Sequence, residues 1–344
     1  MYRIEHKPGP ARRAIVSCQQ FTVALTSGTS NTATINAVDT TRAVIIPGGM
    51  YGNSTVTARI RAQTVLTNST TITSTRGVST TATLVVKGTI IEFSPWVIAS
   101  IQSGTITPSA STTGTATITA VDTARSIVIA GGAVCGAAGN NINGAFAQLT
   151  LTNATTVTAK AGAATSNSFG FTVIEFQPGA LARLVAGGLD ATNTNTADTV
   201  ALAPGVDAAV AALFFAGTLS STNSVDVGFT RAALTDGATV TQTRTTGTSA
   251  EHGIAAAVAQ LSRRVVRRVQ RGTVTISAVN TGTATIEAVD INRSWVAFLG
   301  MSCAVGATPD QCLAGVSLTA ADTVTAALGT AGTVTVSFEV VTLL

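Results

Sequence analysis

The stretch TATITAVDTAR at residues 115–125 occurs in this chain in three closely related copies, and these copies define its organisation. The other two are TATINAVDTTR at 32–42 and TATIEAVDINR at 283–293. Their aspartates, Asp39, Asp122 and Asp290, are 83 and 168 residues apart, which indicates a repeat of roughly 84 residues with a fourth copy between the last two. A degraded copy, PGVDAAVAAL, places Asp207 there. The chain therefore reads as four tandem units, the third of them divergent.

Apolar and polar residues alternate within the motif, the period expected of a strand with one buried face. Two further landmarks recur in the same order. A Thr-rich segment reads LTNSTTIT at 66–73, LTNATTVT at 151–158, LTDGATVT at 234–241 and LTAADTVT at 318–325, and an apolar strand closes each unit. Short Thr/Val/Ile-rich strands between Gly, Ser and Asn turns predict an all-β fold of four tandem antiparallel β-sandwich or small barrel units.

The landmarks also predict the domain boundaries. Residues 1–14 are an N-terminal basic arm that contains proline, and the four β-units follow at 15–94, 95–178, 179–264 and 265–344. In the divergent third unit, the place of the motif's final arginine is taken by alanine or valine. This unit either serves a separate purpose, such as an oligomer interface, or has drifted.

The composition is apolar and weakly charged. Hydrophobic residues make up 45 % of the 344 residues, charged residues 10 % and aromatic residues 4 %, with a net charge of +4. A Thr-covered surface with so little charge does little to repel a neighbouring copy. We therefore expect a homo-oligomer, a trimer or hexamer, or packing into a larger assembly.

The positive charge is concentrated in two places. Arg3, Lys7, Arg12 and Arg13 lie in the arm, which is a candidate docking peptide or a disordered terminus. Five arginines crowd the stretch 263–271. Basic clusters can bind nucleic acid, but valines are interleaved here and the stretch aligns with the first strand of another unit. It is therefore interpreted as a linker or protein contact, and nucleic acid is disfavoured as a partner.

The recurring charged constellation is an Asp-x-x-Arg pair just after a strand: Asp39/Arg42, Asp122/Arg125 and Asp290/Arg293. A carboxylate and a guanidinium at this spacing can bridge a turn, and recurrence in several units favours a structural staple over a catalytic site. Of four cysteines, Cys303 and Cys312 are a candidate disulfide across a short loop, with buried free thiols as the alternative. The pattern does not fit a zinc site.

Enzyme signatures are absent from the sequence: it contains no GxSxG, HExxH or P-loop motif. We expect no enzymatic activity and no cofactor. Neither a secretory signal nor an apolar run of membrane-spanning length is present, so we expect no membrane association and synthesis in the cytoplasm.

The pattern IQSGTITPSASTTGTATITAVDTARSIVIAGG, followed by LTNATTVTA and FTVIEF, resembles repeat β-domains in structural proteins of tailed bacteriophages, found in tail, fibre and other virion-surface components. The resemblance covers essentially the whole chain, best at 99–177 and 267–344. It implies a non-enzymatic virion protein, made in the bacterial cytoplasm, assembled as a symmetric oligomer and fixed to other virion proteins.

The main expectation is thus a tail-associated or fibre-like appendage, with the arm or first unit anchored and distal units facing solvent or a host-surface glycan. One alternative is a capsid decoration protein, and another is a bacterial surface adhesin or carbohydrate-binding module. A polysaccharide depolymerase is disfavoured because the repeat is far too long for the rungs of a β-helix.

Overall fold

The prediction of an all-β fold is confirmed. The computed structural model describes residues 13–136, 142–191, 195–247 and 250–344, with the backbone alone described over 186–191, and these ranges contain 22 strands joined in antiparallel pairs. Helical structure in them is limited to single turns. One such turn follows the third strand of every unit: Thr57–Arg59, α1 (Ile142–Ala145), α2 (Val225–Gly228) and α3 (Pro309–Cys312).

Each predicted unit carries the same series of strands. The first unit contains β1 (Ile15–Leu25), β2 (Ser30–Thr34), β3 (Ala43–Gly52), β4 (Gln63–Asn68), β5 (Thr71–Thr75) and β6 (Leu84–Phe93). The second contains β7 (Ile98–Ile106), β8 (Ser111–Thr117), β9 (Ser126–Val134), β10 (Ala147–Asn153), β11 (Thr156–Thr165) and β12 (Ser168–Phe176). The third contains β13 (Leu181–Ala191), β14 (Ala197–Ala201), β15 (Ala211–Ser220), β16 (Arg231–Asp236), β17 (Thr239–Thr243) and β18 (His252–Leu261).

The fourth unit makes the same series from longer strands. It contains β19 (Val266–Thr285), β20 (Ser294–Cys303), β21 (Ala314–Ala320) and β22 (Thr323–Leu343). Here the first and second strands of the series are one continuous strand, and so are the fifth and sixth. β19 bends at register shifts between Ser277 and Thr281, where Ala278 has a φ of 56°. A continuous bent ribbon of this kind closes one corner of the unit as in a small barrel.

Within a unit the strands form two half-sheets. The first strand pairs with the sixth and the sixth with the third, as in β1–β6–β3, while the second pairs with the fifth and the fifth with the fourth, as in β2–β5–β4. The alternation read from the sequence places one face of each half-sheet inward. Ile72 in β5 and Val157 in β11 are fully buried, whereas their neighbours Thr73 and Thr158 are half-buried.

The four units close in cyclic order. The fourth strand of each unit meets the third strand of the next through one residue pair: Gln63 with Gly132, Gln148 with Gly217, Arg231 with Gly300, and, from the last unit back to the first, Gly315 with Gly49. Half-sheets of successive units thereby merge, for example into the six-stranded sheet β2-β5-β4-β9-β12-β7. The pairing of Gly315 with Gly49 brings unit four into contact with unit one.

Glycine is required at these junctions. Gly49, Gly132, Gly217 and Gly300 all have φ between 83° and 108°, a left-handed conformation that side chains rarely adopt. A Cβ on Gly132 would lie 2.1 Å from the carbonyl oxygen of Ala62 in the neighbouring unit. The junction therefore depends on a bare backbone that both turns and approaches closely.

The two ends of the described chain complete the circle. The backbone N–H of Ala14 donates to the carbonyl oxygen of Leu344 at 2.9 Å. The equivalent hydrogen bond between successive units runs from the Val97 backbone N–H to the Ser94 carbonyl oxygen and from the Val265 N–H to the Ser262 carbonyl oxygen. A hydrogen bond thus takes the place that a covalent connection has between the other units.

One apolar cluster runs through all four units. It contains the buried last residues of the closing strands, Phe93, Phe176, Leu261 and Leu343, which occupy equivalent places in the repeat. Other rings cover strand glycines: Phe171 lies over Gly104 and Phe338 over Gly272, each directly across a strand pair. An aromatic ring placed in this way fills the space that glycine leaves on a sheet.

Candidate functional site

The Asp-x-x-Arg pairs of the first two units form the predicted bridge and add a third member. The Asp122 carboxylate lies 2.9 Å from Arg125 Nε and accepts from the Ala124 backbone N–H, and Arg125 also lies 3.3 Å from Glu175 on the closing strand. In unit one the Asp39 carboxylate lies 2.8 Å from the Arg42 guanidinium, and the Glu92 carboxylate lies 3.7 Å from the same guanidinium. The hydrogen bond from Arg125 holds the pKa of Asp122 below its usual value.

The other two units lack part of this arrangement. Asp207 pairs with Arg263 at 2.6 Å, since Val210 stands in the place of the motif arginine. In unit four Asp290 accepts a hydrogen bond from the Asn292 backbone N–H, but in the described chain it forms no ion pair with Arg293. Because the turn forms in every unit while the ion pair does not, the carboxylate's hydrogen bonds to the backbone are the common element.

The cysteines are buried. Cys303 and Cys312, with Cα atoms 5.7 Å apart, are joined by a disulfide. Cys135 occupies the place of Cys303 in unit two but has no cysteine beside it and is a free thiol, as is Cys18. Burial raises the pKa of the Cys18 thiol to about 12 and also raises that of Cys135, so both are protonated at neutral pH.

Three arginines of the stretch 263–271 are engaged within the molecule. Arg271 Nε lies 2.6 Å from Glu339, a fully buried carboxylate that also accepts from the Leu213 backbone N–H at 2.8 Å. Arg268 pairs with Glu287, and Arg263 with Asp207. In the arm, Arg3, Lys7 and Arg12 lie outside the described residues. Arg13 is exposed, and its carbonyl oxygen accepts from Ser94 and Trp96.

Every unit carries a row of three threonines on the half-sheet formed by its second, fifth and fourth strands. An exposed threonine of the fourth strand hydrogen-bonds to one on the fifth, which pairs in register with an exposed threonine on the second. The rows are Thr67–Thr73–Thr32, Thr152–Thr158–Thr115, Thr235–Thr241–Thr199 and Thr319–Thr325–Thr283. We call these the threonine rows. Their hydroxyl contacts are 2.5–2.7 Å long, so each row is an ordered, uncharged strip.

A cleft of about 280 Å³ opens at the junction between units one and two. Its polar lining includes the hydrogen-bonded pair Ser103–Thr172, at 2.9 Å, together with Gln63 and Lys87. The Lys87 ammonium donates to Thr22 at 3.0 Å, and burial lowers the pKa of Lys87. The lining contains no carboxylate. The cleft can therefore hydrogen-bond a hydroxyl-rich or anionic ligand, but it lacks the carboxylate pair of a glycosidase.

The cleft exists because of small side chains at that junction. Ser103 and Thr172 occupy the places of Arg271 and Glu339 in unit four, opposite each other on the same pair of strands. The sequence contains a signal for this difference between units two and four, but it is visible only when the repeats are aligned strand by strand. A second signal was the recurrent glycine of the third strand, in IPGGM, IAGGA, FAGTL and FLGMS.

Within the described ranges, no three His, Cys, Asp or Glu side chains are grouped so as to hold a metal ion, and no helix has the length and apolarity to cross a membrane. No protein-family model, no curated protein and no solved structure matches the chain.

Proposed function

We propose that this chain is a structural protein of a tailed-bacteriophage virion, a tail-associated appendage that acts by assembly with other virion proteins. The observation that carries the proposal is the threonine row, which all four units present outward. Methyl and hydroxyl groups held in register form a surface that a neighbouring protein can cover without removing a charge from water. Because every unit carries a threonine row, neighbouring proteins can make the same contact on several sides of the molecule.

Exposed strand edges lie beside these rows. β2, β8 and β14, each of which contributes one threonine to a row, stand at the ends of their sheets. An edge strand offers unpaired backbone groups to a strand of another chain. We propose that row and edge together form the contact in a homo-oligomer, a trimer or hexamer, made in the bacterial cytoplasm and incorporated into the virion.

The cyclic closure favours a compact appendage over an extended fibre, because the first and last units are held together. A capsid decoration protein is therefore the second candidate, since such a protein needs a compact body with one face against the particle. The two candidates differ in location, and immunogold labelling of particles distinguishes head from tail.

The test is mass spectrometry of gradient-purified virions from the phage that encodes the chain, in which we expect the protein at a fixed ratio to other structural components. The variant Thr73→Lys with Thr158→Lys puts charge into two rows and should reduce incorporation at least several-fold. Val305→Lys, at a loop position that is 73 % exposed, is the matched control. Absence of the protein from particles while it accumulates in the lysate would rule the proposal out.

The cleft between units one and two supports a contact with a host-surface glycan, which a carbohydrate-binding module would also make. Hydroxyl, amide and ammonium donors line it, as sugar recognition requires. The double variant Ser103→Arg, Thr172→Glu fills the cleft with the pair found in unit four. On a glycan array, binding that is lost in this variant supports the contact, and binding that is retained, or absent from the native protein, argues against it.

A further inference from the structure

A second cavity lies where all four units meet. The third strands β3, β9, β15 and β20 contact one another in cyclic order, and between them is a cavity of about 110 Å³ that residues of every unit line. Four half-buried residues at equivalent places on these strands lie around it: Pro47, Ala130, Phe215 and Phe298. Two are large aromatics and two are small, so the lining is open on the side of units one and two.

The walls are apolar and rich in aromatic rings. Phe146 and Phe229 pack edge to face with centroids 5.0 Å apart, and Phe215 and Phe298 do the same at 6.2 Å. Trp295 also lines the cavity and is 1 % exposed. Edge-to-face pairs leave ring faces and edges available to a further ring.

The single ionisable side chain in this lining is Arg61. Its guanidinium carbon lies 3.8 Å above the Phe146 ring, and one terminal nitrogen donates to the Ala145 carbonyl oxygen at 3.3 Å. The Nε atom is buried and has no hydrogen-bond partner. No acidic residue of the described chain pairs with Arg61, and burial lowers its pKa. The nearby Cys135 thiol does not supply an anion, because burial raises its pKa.

Arg61 is half-buried, and its buried Nε is a donor without an acceptor, an unfavourable arrangement that an anion would relieve. The size of the cavity limits what can accompany that anion. This cavity is smaller than the apolar cavity of about 150 Å³ that holds benzene, so at most a single ring enters it, with its polar group at the edge. A carboxylate suits the planar donor fork of a guanidinium.

We propose that the central cavity binds a small aromatic carboxylate, with its ring among the phenylalanines and its carboxylate on Arg61. The site is assembled only when the four units close, because each contributes part of the lining. It is independent of the virion proposal, which concerns the outward surface.

The test is isothermal titration calorimetry with benzoate and with benzamide, which has the same shape without the charge. We expect benzoate to saturate with a Kd of about 1 mM or tighter and benzamide to bind at least about 10-fold more weakly. Arg61→Met should weaken benzoate about 10-fold or more and change benzamide by less than about 3-fold. Arg59→Met is the matched control, since this exposed arginine lies two residues away and should leave both affinities unchanged.

A second variant locates the site without altering the charge. Ala130→Phe places at the small side of the cavity the ring that units three and four already carry, and it should abolish binding of both ligands while the protein still melts cooperatively. The proposal is overturned by the absence of saturable benzoate binding, by equal affinities for benzoate and benzamide, by undiminished benzoate binding in folded Arg61→Met, or by undiminished binding in folded Ala130→Phe.

Discussion

The junction between units one and two and the junction between units three and four share a backbone frame but differ in what fills it. At the first, Ser103 and Thr172 hydrogen-bond to each other and leave a cleft of about 280 Å³. At the second, Arg271 and Glu339 occupy the same two places and reach into the preceding unit. Arg271 donates to the carbonyl oxygens of Ala208 and Ala211, and Glu339 accepts from Leu213.

The difference shows that closure of the ring of units and the filling of each junction can be separated in this fold. At each junction the backbone of a third-strand glycine pairs with the fourth strand of the preceding unit. The side chains beside this pair determine whether the junction is filled, which we call sealed, or contains a cleft, which we call open. In the sealed junction an ion pair with a fully buried carboxylate contacts the preceding unit. Such a pair is costly to disrupt, although it need not stabilise the protein more than apolar packing would. An open junction leaves a cleft lined by polar side chains.

Breaking the sealed junction should have the largest effect. Arg271→Met leaves the Glu339 carboxylate, which has no exposed surface, without its cation, and we expect the free energy of unfolding to fall by about 3–5 kcal/mol. Urea denaturation followed by circular dichroism measures this change. Arg264→Met, at an exposed neighbouring arginine, should change the free energy of unfolding by less than about 0.5 kcal/mol.

The double variant Arg271→Ser, Glu339→Thr sharpens this test because it installs the pair of the open junction. No buried charge remains, so we expect it to be more stable than Arg271→Met alone despite the added cavity. A double variant less stable than the single one would contradict the view that the uncompensated carboxylate dominates the loss.

The backbone frame can be tested at both junctions with glycine substitutions. Gly132→Ala and Gly300→Ala should each lower the free energy of unfolding by about 3 kcal/mol, since an L-residue is strained at this φ and the new Cβ would lie 2.1–2.2 Å from a carbonyl oxygen. Gly179→Ala separates the two causes. Gly179 has a φ of 87° with nothing within 4 Å, so only the conformational cost of about 1 kcal/mol applies. Equal losses at Gly132 and Gly179 would argue against close approach as the reason for glycine.

A buried group away from the junctions predicts a pH dependence. His252 in unit three has no exposed surface, its Nδ1 lies 2.6 Å from Arg244 and its Nε2 3.6 Å from Asp198, and burial lowers its pKa. The unfolded chain therefore binds a proton below about pH 6.5 that the folded chain does not. Stability should decline as pH falls from 7 to 5, with a slope approaching about 1.4 kcal/mol per pH unit.

The measurement is urea denaturation at several pH values for the native protein and for His252→Gln. A glutamine side chain does not titrate in this range, so the variant should lose most of the slope even if it is less stable throughout. The same slope in both proteins would show that other groups cause the acid sensitivity.

The repeat predicted the all-β fold because hydrophobic alternation and turn residues are local signals. Cyclic closure was not predictable in the same way, since it depends on four single residue pairs between units and on glycine backbone angles that no alternation reveals. Even so, the glycine recurs visibly in the third strand of each unit. Its recurrence is a sign of a constraint that the sequence analysis did not use, and the partner that imposes it, such as the Ala62 carbonyl for Gly132, is known only from the structure.

The sites show the same limit. The sequence placed Asp122 and Arg125 at bridging distance but could not assign Glu175 to them, because that residue lies on a strand 50 positions later. The arginine stretch was interpreted as a linker or protein contact, yet Arg271 contacts another unit of its own chain. A signal was present in VSFEVV, where Glu339 interrupts an apolar closing strand at a place that holds threonine in units one and two. For the cleft the signal is weaker, because Ser103 and Thr172 differ from Arg271 and Glu339 only when the repeats are aligned strand by strand.

The partly exposed Asp–Arg pairs complete the comparison with the pair of Arg271 and the fully buried Glu339. Arg125→Met should lower the free energy of unfolding by about 1 kcal/mol, since water and salt screen a bridge of this exposure, even though Arg125 also donates to the Phe176 carbonyl oxygen. Arg293→Met, at the same place in unit four but without the ion pair, should cost less than about 0.5 kcal/mol. Adding about 0.5 M NaCl should reduce the difference between the two variants, because only the paired arginine has an electrostatic contribution to lose. If both variants lost the same amount at low salt, the motif arginine would act through packing of its aliphatic stem, and the predicted staple would be the aspartate's backbone hydrogen bonds alone.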